Sequence, residues 1–229
     1  MGKTIQLAAA DGHKLSAYRA EPEAKPKGGL VVGVEIFGVN SHIRAVADGY
    51  AANGYLVIAP ALFDRVQANY ECGYSQDEIQ KGIAIMQKIN LDDTMRDVAA
   101  AMQNVASAGK VGIVGYCWGG GNSLNFASKC KDLNAAVVYY GRNPDPLDSV
   151  ANIPCPLMGN YAADDPNIMP GVEPLKAALA KAGKSFDCKI YPGAKHAFNN
   201  NTNADRYNPE AAKDAWARTA SFFKKNLAA

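Results

Sequence analysis

The chain has 229 residues, 48% hydrophobic and 20% charged, which excludes a disordered polymer and suits one packed α/β domain over residues 1–229. Twenty-four Lys plus Arg against 22 Asp plus Glu leave a charge of +2, too even for nucleic acid or a membrane surface as main partner. No apolar run approaches the roughly 20 residues of a membrane span, and Asp11, His13 and Lys14 break any signal-peptide core, so a cytoplasmic protein is expected.

In chain order, Lys3–Ala8 and Lys14–Ala20 flank Asp11-Gly12 and predict an antiparallel hairpin on one sheet edge. The charged, Pro-containing piece 21–27 is a loop. Apolar runs rich in Val and Ile follow at 29–36, 55–61, 111–116, 135–140, 156–161 and 186–191. Runs of this kind are strands buried on both faces, as in a parallel sheet covered by helices. Helix-like stretches lie between and after them at 42–52, 77–107, 119–129, 172–182 and 209–226. The last spaces Ala212, Ala215, Trp216, Thr219, Ala220, Phe222 and Phe223 three and four apart, which gives one sheet-facing side. The alternation predicts an α/β fold with a mostly parallel central sheet and helices on both faces.

Five cysteines (72, 117, 130, 155 and 188) are an odd number without a C-x-x-C, so neither a disulfide framework nor a structural zinc is expected. Cys117 differs in its neighbours. The strand 111–116 runs straight into Gly115-Tyr116-Cys117-Trp118-Gly119, the nucleophile-elbow pattern with sulfur in place of oxygen. Small residues are needed there because backbone crowds both sides of the turn. The helix N-terminus that follows favours a thiolate, and the Trp118 N–H is placed as an oxyanion donor.

An acid, Asp164 or Asp165, follows the strand 156–161, and His196 follows the strand 186–191. Nucleophile, acid, base is the chain order of the α/β-hydrolase triad. His13 reads as a turn residue and His42 as the start of a helix. Glu35 interrupts the apolar run 29–36, where a carboxylate is costly unless paired or hydrogen-bonded, and is placed to hydrogen-bond the thiol or accept its proton.

Val34-Glu35-Ile36-Phe37-Gly38, Gly115-Tyr116-Cys117-Trp118-Gly119-Gly120, Asp165 and Gly193-Ala194-Lys195-His196-Ala197-Phe198 together resemble the dienelactone hydrolase family (carboxymethylenebutenolidases). The resemblance covers essentially the whole chain. It implies a single-domain α/β hydrolase, without metal or cofactor, that uses a Cys-His-Asp triad on small lactones or esters, dienelactone among them. It also implies that Glu35 keeps the resting thiol protonated until substrate arrives, and that the Ile36 N–H is the second oxyanion donor. The family's spacing from the strand aromatic, here Tyr161, implies Asp165, with Asp164 as the alternative. Family members that take dienelactone grip its carboxylate with two arginines, one of them four residues past the histidine. Here that position is Asn200, which leaves Arg206 downstream and Arg65 upstream as the candidates. A general short-chain carboxylesterase is the alternative, and a non-catalytic binding protein of the same fold a more distant one.

Overall fold

The computed structural model describes residues 2–227. It divides into two compact units, one running to Val111 and one from Gly112. In the N-terminal unit β1 (Lys3–Ala8) and β2 (Lys14–Ala20) pair antiparallel with Leu7 opposite Leu15. The turn is closed by the Ala9 N–H to the His13 carbonyl, with Gly12 at φ +85°. β2 pairs antiparallel with β4 (Leu56–Pro60), and β3 (Gly29–Gly33) pairs parallel with β4. Every residue of β3 and β4 is buried, as their unbroken apolar runs require.

Helix α1 (Ser41–Ala52) is capped by Asn40, whose side chain accepts from the Ile43 N–H. His42 is therefore a buried residue of the first turn, and the cap lies two positions earlier. The helix expected over 77–107 is two helices. α2 (Gln76–Met86) opens with a capping box between Ser75 and Glu78. α3 (Leu91–Val105) opens at Asn90, whose side chain accepts the Asp92 N–H at 2.7 Å. An asparagine that offers its own acceptor to the backbone, followed by two acidic residues in the first turn, favours a new start over a continuing helix.

The C-terminal unit holds β5 (Val111–Tyr116), β6 (Ala135–Tyr139), β7 (Leu157–Ala162) and β8 (Phe186–Tyr191), paired in that order and all parallel. β5, β6 and β7 are fully buried, and β8 is only half-buried. Three α-helices, α4 (Trp118–Lys129), α5 (Met169–Lys181) and α6 (Pro209–Leu227), and a 3-10 helix (Leu147–Asn152) join them among the described residues. α6 buries Ala212, Ala215, Thr219 and Phe223, while Trp216 and Phe222 are half-buried. Removing Phe223 from water contributes roughly 2–3 kcal/mol. The Thr219 hydroxyl meets the Tyr139 hydroxyl at 2.8 Å and fixes the seating of α6. Because the four strands are parallel and adjacent, the loops leaving their carboxyl ends emerge along one edge.

Candidate active site

Cys117 lies between β5 and α4 at φ +56° and ψ −115°, a region that side-chain-bearing residues rarely occupy and that costs about 1–3 kcal/mol. Three hydrogen bonds hold it there. Its N–H donates to the Tyr139 carbonyl at 3.0 Å, and its own carbonyl accepts from the N–H groups of Gly120 (3.0 Å) and Gly121 (3.2 Å). The glycines let the chains close in. A Cβ on Gly115 would sit 1.9 Å from the Gly119 carbonyl oxygen, and one on Gly120 would sit 2.6 Å from that of Tyr139. α4 begins at Trp118, ahead of the expected start at 119, so the glycines form its first turn.

Asp165 and His196 lie on the loops that follow β7 and β8. Asp165, three residues beyond β7, is buried, and its Oδ2 lies 2.5 Å from His196 Nδ1. Its other oxygen accepts the Asn167 N–H at 3.2 Å. Asp164 is exposed, and its N–H ties this loop to the Ala194 carbonyl at 3.0 Å. Of the two aspartates, Asp165 is the one that meets the histidine. Ala197, at φ +67°, turns the chain directly after His196.

His196 also hydrogen-bonds the Cys117 side chain. Nδ1 is taken by Asp165, so Nε2 is the nitrogen facing sulfur. Burial works against a charged ring, but the negative charge on Cys117 and the hydrogen bonds to Asp165 and Cys117 outweigh it. The imidazole pKa is pushed up to about 10. Cys117, His196 and Asp165 are thus joined in one hydrogen-bonded series.

The remaining expected residues divide. Trp118 is the half-buried first residue of α4. Glu35 lies two residues past β3 and is 1% exposed, so it does not reach water from a strand end; Ile36 beside it is half-buried. Arg206 is exposed.

Arg65, a candidate for gripping a substrate carboxylate, is engaged by two aspartates of the fold. Its Nε and Nη2 donate to both oxygens of the fully buried Asp97 at 2.9 and 2.7 Å, and its Nη1 donates to Asp11 at 2.8 Å. These partners hold its charge firmly, and Arg65 in turn holds the Asp11 carboxyl down at about 2. The guanidinium braces the β1–β2 turn and α3. Asn200 is buried, and its Oδ1 accepts from the N–H and hydroxyl of Thr202 at 3.1 and 2.7 Å.

Sequence reasoning missed Tyr140, which reads there as the last residue of a buried strand. Its ring centroid lies 5.0 Å from that of His196. The available signal is the Tyr139-Tyr140-Gly141 step, where a glycine releases the chain at a strand's carboxyl end.

The fold, with a nucleophile elbow at the carboxyl end of a parallel strand, defines the α/β-hydrolase class. Within it the chain belongs to the dienelactone hydrolase family, whose sequence pattern matches residues 15–227. A protein of Saccharolobus solfataricus that bears the provisional name carboxymethylenebutenolidase is 35% identical over 94% of this chain and 95% of its own. One of Escherichia coli with the same provisional name is 30% identical over 93% and 83%. The crystal structure of a provisionally named dienelactone hydrolase from Klebsiella pneumoniae superposes with a TM-score of 0.84 at 29% identity, covering 97% of this chain and 99% of that one. The protein is a carboxylic ester hydrolase of the dienelactone hydrolase type.

Proposed function

We propose that the protein hydrolyses small lactones and esters through a covalent acyl-enzyme on Cys117, with dienelactone as a candidate substrate. The hydrogen-bonded series from Cys117 through His196 to the buried Asp165 carries this reading. The Cys117 thiolate attacks the carbonyl carbon, and the N–H groups of Trp118 and Ile36 receive the oxyanion. Collapse breaks the acyl–oxygen bond, and the leaving oxygen takes the Nε2 proton of His196. In a lactone that oxygen stays tethered to the acyl group. Neutral His196 then removes a proton from water as the water attacks the thioester. The second collapse expels the thiolate beside a protonated His196, the pair from which the attack on bound substrate began. Asp165 keeps Nδ1–H pointed away from sulfur throughout. The roles of Ile36 and Glu35 come from the sequence resemblance, which assigns Glu35 control of the thiol's resting charge.

The test is a hydrolysis screen of cis- and trans-dienelactone beside nitrophenyl esters, with Cys117→Ala as control. One equivalent of nitrophenol should appear in a burst from wild type. Cys117→Ala should lose activity below a few per cent while melting within a few degrees of wild type, since the volume change is small. Substantial residual turnover in that variant would remove Cys117 as nucleophile.

The commitment of Arg65 to Asp97 and Asp11 favours a second reading, a short-chain esterase for uncharged substrates. It leaves Arg206 as the remaining candidate of the original two. If Arg206 grips a carboxylate, Arg206→Met should lower kcat/KM on dienelactone about 30-fold or more and leave nitrophenyl acetate unchanged. No loss on either substrate would establish the uncharged-ester reading.

A further inference from the structure

The mechanism above leaves unused the aromatic ring that stands beside its base. Tyr140 is fully buried, one residue past β6, at φ +38°, a conformation in which a bulky residue is a genuine outlier. Its N–H is anchored to the Asn160 carbonyl at 2.9 Å. Its ring centroid lies 5.0 Å from the imidazole of His196 at an interplanar angle of 59°. It also meets Phe198 edge-on at 5.4 Å and 72°. Tyr139 and Tyr116 stand behind it, with centroids 6.0 and 6.4 Å away. A strained backbone and a closed aromatic cluster thus fix one ring within cation–π range of a group that carries positive charge in the cycle.

We propose that Tyr140 is a positioning residue whose aromatic ring seats His196 against Asp165 and stabilises the imidazolium by a cation–π contact. The proposal rests on the assignment of His196 as base. It adds a third influence on that ring. Cys117 faces it from the start of α4, Asp165 from the loop after β7, and Tyr140 from the end of β6, while Lys195 on the same loop is exposed to solvent. The two charged partners set most of the balance. The aromatic ring adds a smaller increment without adding a proton or a charge.

The experiment replaces Tyr140 with phenylalanine and then with phenylalanines carrying one, two and three fluorines, in the full-length protein. Fluorine withdraws density from the ring face and barely changes its shape, so the fold is retained across the series. The readouts are the titration of the His196 ring by NMR and the pH profile of kcat on a nitrophenyl ester. Tyr140→Phe, which keeps the ring face, is the unfluorinated reference for the series. Successive fluorination should lower the His196 titration stepwise, by about one unit in total, a tenfold change in its protonation equilibrium. The alkaline limb of kcat should move with it while KM stays constant. A titration unmoved by fluorination, or a Tyr140→Phe variant already as impaired as the trifluorinated one, would overturn the proposal. Failure of the base assignment itself would show separately, as turnover that survives His196→Gln.

Discussion

Of the influences that raise the His196 pKa, Cys117 is the largest, so the titration of the ring reports the sulfur. Its folded value of about 10 lies above the ordinary value near 6.5. The charged ring therefore contributes stability in full below about pH 6.5 and loses that contribution as pH rises through about 10. Cys117→Ala removes the strongest cause that raises the pKa while leaving burial in place, so the ring titration followed by NMR should fall by several units. An unchanged value would mean the sulfur is not its partner. The sequence resemblance gives Glu35 the opposite sense in the proposed mechanism, since a carboxylate brought beside a thiol disfavours the thiolate. Glu35→Gln should then be alkylated by iodoacetamide about tenfold faster than wild type at neutral pH, and yet turn over more slowly. Equal alkylation rates would remove the gate. Most of these residues were legible before the fold. A cysteine inside an elbow, an acid and a histidine after successive strands, and a carboxylate in an apolar run each break a local pattern. Arg65 broke none, because its partners Asp11 and Asp97 lie far from it in sequence and only folding joins them.

Elements were read well where the hydrophobic pattern changes sharply. The hairpin β1–β2, strands β5 and β8, and the ends of several helices fall where the apolar runs place them. The break between α2 and α3 was lost because 77–107 keeps helical spacing across it, and Asn90 acts through a cap rather than through hydrophobicity. β3 ends at Gly33, so Glu35 belongs to the turn that leads toward α1 and not to a strand. α3 also carries Asp97, the buried partner of Arg65. Arg65→Met leaves the Asp97 carboxylate buried without its fork of donors. It should cost about 2–3 kcal/mol, less than the 3–5 of a fully buried pair because the Asp11 arm is screened by water. Urea denaturation should show that loss, while kcat/KM of the folded fraction stays within about threefold on charged and uncharged substrates alike. A loss confined to the charged substrate would return Arg65 to substrate binding.

Across the molecule, the class of fold follows from the alternation of apolar strands and amphipathic helices, and the site follows from strand direction. Four parallel strands in the C-terminal unit deliver Cys117, Tyr140, Asp165 and His196 from consecutive carboxyl ends, so residues up to 79 positions apart converge without any long loop. Sequence order alone could name three of them; the fourth needed ring-to-ring distances. The positive φ of Cys117 has a consequence for evolution as well as for catalysis. A conformation suited to glycine is held there by a residue that pays for it in stability, so activity and robustness pull against each other at one position. Cys117→Gly should be inactive, and it should unfold at higher urea than Cys117→Ala, whose methyl group keeps the strain. In a lineage released from selection for hydrolysis, glycine at position 117 would be both the easiest loss of function and a gain in durability.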